Sequence, residues 1–202
     1  MNKWMKTYWR QRHNAKFARY EDYELSYAKK INDEVAMVKI DAYLIEDIKN
    51  PSEELKMVAV QKNPFSIQFI QNPSEELQLV AVQKYGIAIE QIKNPTEKVQ
   101  LIAVKQNGDS IQFIKNPSEE LQMVAVQWDS YSIQYIKNTS EQVKLAAVKH
   151  HGIVIEYIQN PSEEIQMAAV KNNGYAIYNI LRKGIEPSEQ VKQLARSKGM
   201  RI

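Results

Sequence analysis

The sequence predicts an all-α protein: a right-handed α-solenoid of stacked short αα-hairpins, with a 22-residue period and capping helices at both ends. Three observations predict it. Asn recurs at Asn50, Asn72, Asn94, Asn116, Asn138 and Asn160, a constant spacing of 22. Pro follows it in five copies and Thr139 in the sixth, then Ser or Thr, then Glu in every copy. One apolar segment trails each start, as in Leu77-Gln78-Leu79-Val80-Ala81-Val82. A fixed period of about 20–50 residues is the signature of a repeat array.

Residues 1–30 read as a basic, aromatic N-terminal helical cap. On a helical wheel Met1, Trp4, Met5, Tyr8 and Trp9 share one arc, with Lys3, Lys6 and Arg10 opposite. Such a face can cover the open end of the first layer. It can also rest on anionic lipid, grip a phosphate backbone or enter a partner's groove.

Residues 31–181 read as the solenoid, one irregular copy and six regular ones. In the irregular copy Val35, Met37, Val38 and Ile40 fit the first helix, Ile45 and Ile48 fit the second, and Lys39 replaces the usual alanine. In the regular copies Asn is expected as the N-cap, Pro at N1, and Glu at N3 closing a capping-box-like arrangement. A column of Ala59, Ala81, Ala103, Ala125, Ala147 and Ala169 predicts close approach between neighbouring helices. Gly86, Gly108, Gly152 and Gly174 are expected as helix C′ residues. A second, shorter helix then buries Ile at i and i+3, as in Ile67/Ile70 and Ile111/Ile114. No hairpin of this size can bury its apolar side alone, so each must stack on the next.

Residues 182–202 read as a basic C-terminal capping repeat. It begins at Glu186-Pro187-Ser188-Glu189, and Gln193 and Arg196 stand where the regular copies are apolar. A polar outer face is what the last layer of an array needs.

The net charge of +3 hides segregation. Residues 1–20 carry Lys3, Lys6, Arg10, Arg12, Lys16 and Arg19 with no acid, and residues 182–202 are +4, which leaves −7 for residues 21–181. An acidic body argues against a continuous phosphate track, so nucleic-acid binding is expected to be weak and confined to the basic ends. The absence of cysteine excludes a disulfide framework and thiol chemistry. No run of 18 apolar residues occurs, which points to a soluble, cytoplasmic protein.

The run NPSEELQLVAVQKYGIAIEQIKNP, residues 72–95, resembles a tandem 22-residue helical repeat family of unknown function found in phage, giant-virus and bacterial proteins. It is also similar, more distantly, to the leucine-rich variant repeats, which share the Asn-Pro start and an apolar helix stacked in a solenoid. The resemblance covers about three quarters of the chain and leaves out residues 1–30. It implies a phage or mobile-element origin, hence the host-cell cytoplasm. Small solenoids of that origin without enzymatic motifs bind and disable host proteins, a step that rests on analogy of fold.

Arrays bind through positions that differ between copies, because the uniform ones hold the stack. Variation concentrates in the linker and on the second helix, where Phe65, Phe69, Tyr85, Phe113, Trp128, Tyr131, Tyr135, His150, His151, Tyr157 and Tyr175 lie. Phe65/Phe69 and Tyr131/Tyr135 are four apart and are expected on one helix face. Aromatic rings with polar handles are favoured interface anchors; the competing role is to fill gaps between layers. His150-His151 reads as exposed linker rather than a metal site, since adjacent histidines do not readily face one ion. The ladder Glu53, Glu75, Glu97, Glu119, Glu141 and Glu163 is explained by capping.

No phosphate-binding loop, dinucleotide fingerprint, zinc-protease motif or Ser/His/Asp set occurs. The expectation is therefore no enzyme, no cofactor and no metal, but a protein-binding module whose partner is another protein. The sharper form is a phage-encoded inhibitor of a host defence protein, such as a CRISPR or other nuclease effector. The alternatives are a nucleic-acid binder using the basic termini, or a structural or assembly component.

Overall fold

The computed structural model describes residues 24–26, 29 and 33–202. The basic residues Lys3, Lys6, Arg10, Arg12, Lys16 and Arg19, and the aromatic face expected beside them, lie outside the described residues. Among the described residues every regular element is a helix and none is a strand. The chain divides into two compact units, Met1–Ala81 and Val82–Ile202.

The irregular copy contributes α1, Glu34–Ile40, and the 3-10 helix η1, Ala42–Asp47. The regular copies contribute six ten-residue α-helices: α2 (Glu53–Lys62), α3 (Glu75–Lys84), α4 (Glu97–Gln106), α5 (Glu119–Trp128), α6 (Glu141–His150) and α7 (Glu163–Asn172). Between them lie five six-residue 3-10 helices: η2 (Pro64–Phe69), η3 (Gly86–Gln91), η4 (Gly108–Phe113), η5 (Ser130–Tyr135) and η6 (Gly152–Tyr157). Two more α-helices follow, α8 (Ala176–Arg182) and α9 (Glu189–Ser197).

The short second element is thus a 3-10 helix, and its sequence says why. With three residues per turn, side chains at i and i+3 eclipse, so Ile67 and Ile70, or Ile111 and Ile114, turn to one side and are buried together. Its backbone closes accordingly, Ile114 N–H donating to Ile111 O at 3.1 Å and Ile158 N–H to Ile155 O at 3.1 Å. In the last copy the α-helix α8 replaces it.

Three sequence expectations about the helix ends are corrected. The N-cap is Ser or Thr, not Asn: Ser52, Thr96, Ser118, Ser140 and Ser162 accept the backbone N–H three residues on, and Ser74 Oγ accepts Leu77 N–H. Asn50, Asn72, Asn116, Asn138 and Asn160 instead sit at positive φ, between 45° and 55°, two residues before the cap. Asn tolerates that left-handed region through its short polar side chain. Pro therefore lies just before the cap rather than at N1. Its carbonyl accepts a side-chain N–H from the glutamine five residues on: Gln78, Gln100, Gln122 and Gln166, at 2.9–3.0 Å.

Glu falls at N1, so no capping box forms. The ladder still favours the positive helix end, and in the second unit it also reaches the next copy. Ser140 Oγ donates to Glu119 Oε1, and Ser188 Oγ to Glu163 Oε1. Lys144 and Ser162 hold the Glu141 carboxyl below its ordinary value by hydrogen bonding. Where lysine replaces the glutamine, it pairs with that Glu, Lys56 with Glu53 at 2.6 Å and Lys144 with Glu141 at 2.7 Å.

The linker glycines are not left-handed C′ residues; they are sites of close approach. A Cβ on Gly86 would lie 2.4 Å from Ala103 O, one on Gly152 2.3 Å from Ala169 O, and one on Gly108 2.5 Å from Ser132 Oγ. The alanine column, wholly buried from Ala59 to Ala169, is thus the other half of this contact. The backbone of one helix presses on the glycine of the preceding copy. Left-handed glycines occur only at the ends of α8 and α9, at Gly184 and Gly199. There Ile185 N–H reaches Ile180 O and Met200 N–H reaches Ala195 O, as in a Schellman turn.

In the first unit, Val38, Ile45, Leu55 and Ala59 form a core against which Ile48, Val58 and Phe69 pack. In the second unit, α4 packs on α5, α5 on α6 and α6 on α7, while η3, η4, η5 and η6 touch in the same order. Each helix there buries the same three positions, as in Val99, Ala103 and Val104, or Ile165, Ala169 and Val170. Helix α9 closes the series on α7, burying Val191 and Ala195. Gln193 and Arg196 are exposed on it, where the sequence placed polar residues.

Candidate functional site

The residues that differ between copies cluster where each α-helix ends and its 3-10 helix begins. One residue serves both ends there. Asn63, Asn107 and Asp129 terminate an α-helix with φ between −152° and −140°. Their side chains then accept the second N–H of the 3-10 helix, Phe65, Asp109 and Tyr131 respectively, at 2.9–3.1 Å.

Tyr85 and His151 hold the same place and offer no side-chain cap. In these two copies the next copy bonds the start of the 3-10 helix instead, at its first N–H rather than its second. Gly86 N–H donates to Gln106 Oε1 at 2.6 Å, and Gly152 N–H to Asn172 Oδ1 at 2.7 Å. Of the two copies between them, the second departs again: Ser130 replaces glycine, and its buried Oγ meets His150 Nδ1 at 2.7 Å. His150 is therefore tied to the preceding copy, an attachment its linker position in the sequence did not reveal. Among the described residues, no three His, Asp or Glu side chains converge as a metal site.

The aromatics fall into two groups. Phe65, Phe69, Phe113 and Tyr131 are half-buried. Phe69 meets Tyr43 edge-on at 5.6 Å, while Tyr131 meets His151 at 5.1 Å and Tyr157 at 6.2 Å. The expected same-face pairing four residues apart is corrected here. At three residues per turn, positions four apart diverge by about 120°, so Tyr131 finds its partner in the next copy instead. Tyr85, Trp128, Tyr135, Tyr157 and Tyr175 form the second group, exposed at 50%, 63%, 38%, 38% and 65%.

The sequence reading passed over two carboxylates in adjacent copies, Asp109 and Asp129. Asp109 Oδ1 is buried without a hydrogen-bond donor. Burial, and then the charge of Asp129, raise its pKa above the ordinary carboxylate value. The signal was present in the sequence. The five stretches 85–92, 107–114, 129–136, 151–158 and 173–180 contain Glu90, Asp109, Asp129 and Glu156 but no Lys or Arg, although the chain has 27 of them.

A shallow cleft beyond η6 is lined by Glu156, Tyr157, Asn179, Arg182 and Lys183. Lys183 Nζ already donates to Glu156 O and Ile158 O, both at 2.8 Å. Desolvation lowers its pKa, against the opposing pull of Glu156. Bonding to Glu156 holds the Tyr157 hydroxyl above its ordinary pKa. The two Lys183 bonds tie the end of α8 to η6 and the residue after it. Among the described residues no helix is long and apolar enough to cross a membrane. Compared with protein families, with curated proteins and with solved structures, the chain finds no match.

Proposed function

We propose that the copies stack as a right-handed α-solenoid and that the chain is a non-enzymatic protein-binding module, using the edge formed by its linkers and 3-10 helices. One observation carries this reading. The uniform positions are buried, whereas Tyr85, Trp128, Tyr135, Tyr157 and Tyr175 stand exposed at positions that vary between copies. Exposed Trp and Tyr gain most when a partner desolvates them. The stack is supported by the sequential contacts of α4 to α7 and by cross-copy hydrogen bonds at a constant offset of 20 residues. Because the stretches 85–92, 107–114, 129–136, 151–158 and 173–180 carry no Lys or Arg, a nucleic-acid partner would have to use other surfaces. An inhibitor of a host defence protein is the sharper form of the proposal and rests on the family resemblance alone.

The test is capture of a partner from lysate by the tagged full chain, compared with Trp128→Ala and Tyr135→Ala. Each change is expected to weaken capture by about 2 kcal/mol or more, as for interface anchors, with little change in melting temperature. A large drop in melting temperature would return these rings to the core and leave the binding edge unlocated.

A further inference from the structure

The cleft beside η6 is a concavity whose walls are bonded in place and which has donors left over. Its volume is about 270 Å³, and Glu156, Tyr157, Asn179, Arg182 and Lys183 line it. Ligand pockets run upward from roughly 300 Å³, so this one has room for a small organic acid or a single side chain. Asn179 Nδ2 donates to Ile153 O at 3.2 Å, and Lys183 Nζ donates to Glu156 O and Ile158 O at 2.8 Å. These bonds fasten α8 to η6 along the side that Asn179, Arg182 and Lys183 share, being three and four residues apart. An ammonium has three N–H groups, and Lys183 gives two of them to these carbonyls. Arg182 is exposed and, among the described residues, has no ion-pair partner. Glu156 bonds the Tyr157 hydroxyl and forms no salt bridge with either cation. Two cations against one carboxylate leave the cleft at +1, directly after the stretch 173–180, which carries no Lys or Arg.

We propose that this cleft binds a carboxylate, seated between the Arg182 guanidinium and the remaining Lys183 N–H, with the Tyr157 ring as one wall. A guanidinium presents paired donors that match the two oxygens of a carboxylate. One carboxylate neutralises the cleft. A phosphate monoester, at about −2 near neutral pH, would overshoot and press its charge on Glu156. Desolvation lowers the Lys183 pKa against the pull of Glu156, and an arriving carboxylate gives that ammonium a further acceptor. A free small acid and an acidic side chain of a partner protein both present this group, so the site stands apart from the protein-binding reading above.

The test titrates N-acetylglutamate N-methylamide, a glutamate side chain with both chain ends blocked, onto the nitrogen-15-labelled full chain at low salt. Shifts are read by NMR at the Asn179 side-chain amide and the Arg182 Nε–H. Saturable millimolar binding is expected, and the uncharged glutamine analogue should produce none. Arg182→Gln keeps a good helix former at an exposed position. It should weaken binding about tenfold or more at the Asn179 signal, as expected for losing a charge-assisted pair. Lys137→Gln removes an exposed charge elsewhere and should change binding by less than about twofold. No saturation, an equal response to the glutamine analogue, equal losses from the two variants, or tighter binding of inorganic phosphate overturns the proposal. With probe binding established, partner capture from lysate identifies the source of the carboxylate. Capture weakened by Arg182→Gln assigns it to the partner protein, and capture unchanged by that variant assigns it to a free small acid.

Discussion

Replacing Gln106 by alanine isolates the dependence of one copy on the next. Gln106 Oε1 takes the N–H of Gly86 at 2.6 Å, and Gly86 is buried at the start of a 3-10 helix whose own N-cap residue, Tyr85, does not cap it with its side chain. Removing the acceptor leaves a buried donor without a partner, at a cost of about 1–2 kcal/mol. For a chain of this size that lowers the melting temperature by about 2–4 °C per kcal/mol. The sharper assay is amide hydrogen exchange at Gly86, which should accelerate by roughly tenfold for each 1.4 kcal/mol lost locally. Gln127→Ala, at an exposed site in α5, is the control and should leave both readings unchanged. Adding Tyr85→Asn to Gln106→Ala supplies the local cap seen at Asn63 and Asn107, which takes the N–H two residues on, here Ile87, so part of the melting temperature should return while Gly86 exchange stays fast. If Gly86 exchange is the same with and without Gln106, capping across copies contributes nothing and the reasoning fails.

Three further outcomes follow from the packing and the charges. Ala125→Leu forces three carbons into the fully buried alanine column beside Gly108 and should cost about 1–3 kcal/mol in urea denaturation; a neutral result would remove the column from the contact. Ser132 Oγ is buried without a partner, and Ala88 and Ala176 occupy its place in other copies, so Ser132→Ala should stabilise the chain by about 1 kcal/mol, read as a raised midpoint. Because the folded state raises the Asp109 pKa, its ionised form opposes folding, and that handicap disappears as pH falls below the carboxylate range. Asp109→Asn should therefore melt above wild type at pH 7, with the difference closing near about pH 3.5.

Much of the architecture was legible because the period repeats local chemistry. The 22-residue spacing, the apolar segments and the Ile pairs specify a helix followed by a shorter one, and the alanine column marks a tight contact. The cap was misplaced by two residues because Asn and Ser are equally good N-caps, and only the backbone reveals which of them turns left-handed. The glycines were misassigned for a related reason. Glycine serves both positive φ and close approach, and choosing between them requires the carbonyls of Ala103 and Ala169, which lie in the following copies.

The sequence by itself determined that this chain is built from copies of one helical unit, where each copy starts, and which positions vary. Those properties follow from propensity and periodicity, which act over a few residues. Only the tertiary structure decided that Tyr131 turns to Tyr157 rather than standing beside Tyr135, that Gln106 and Asn172 cap the copies before them, and that the charge of Asp129 is felt at Asp109. Each is an interaction between residues 20 or 26 apart. Such contacts depend on how one copy settles on the next, so no local pattern within a single copy encodes them.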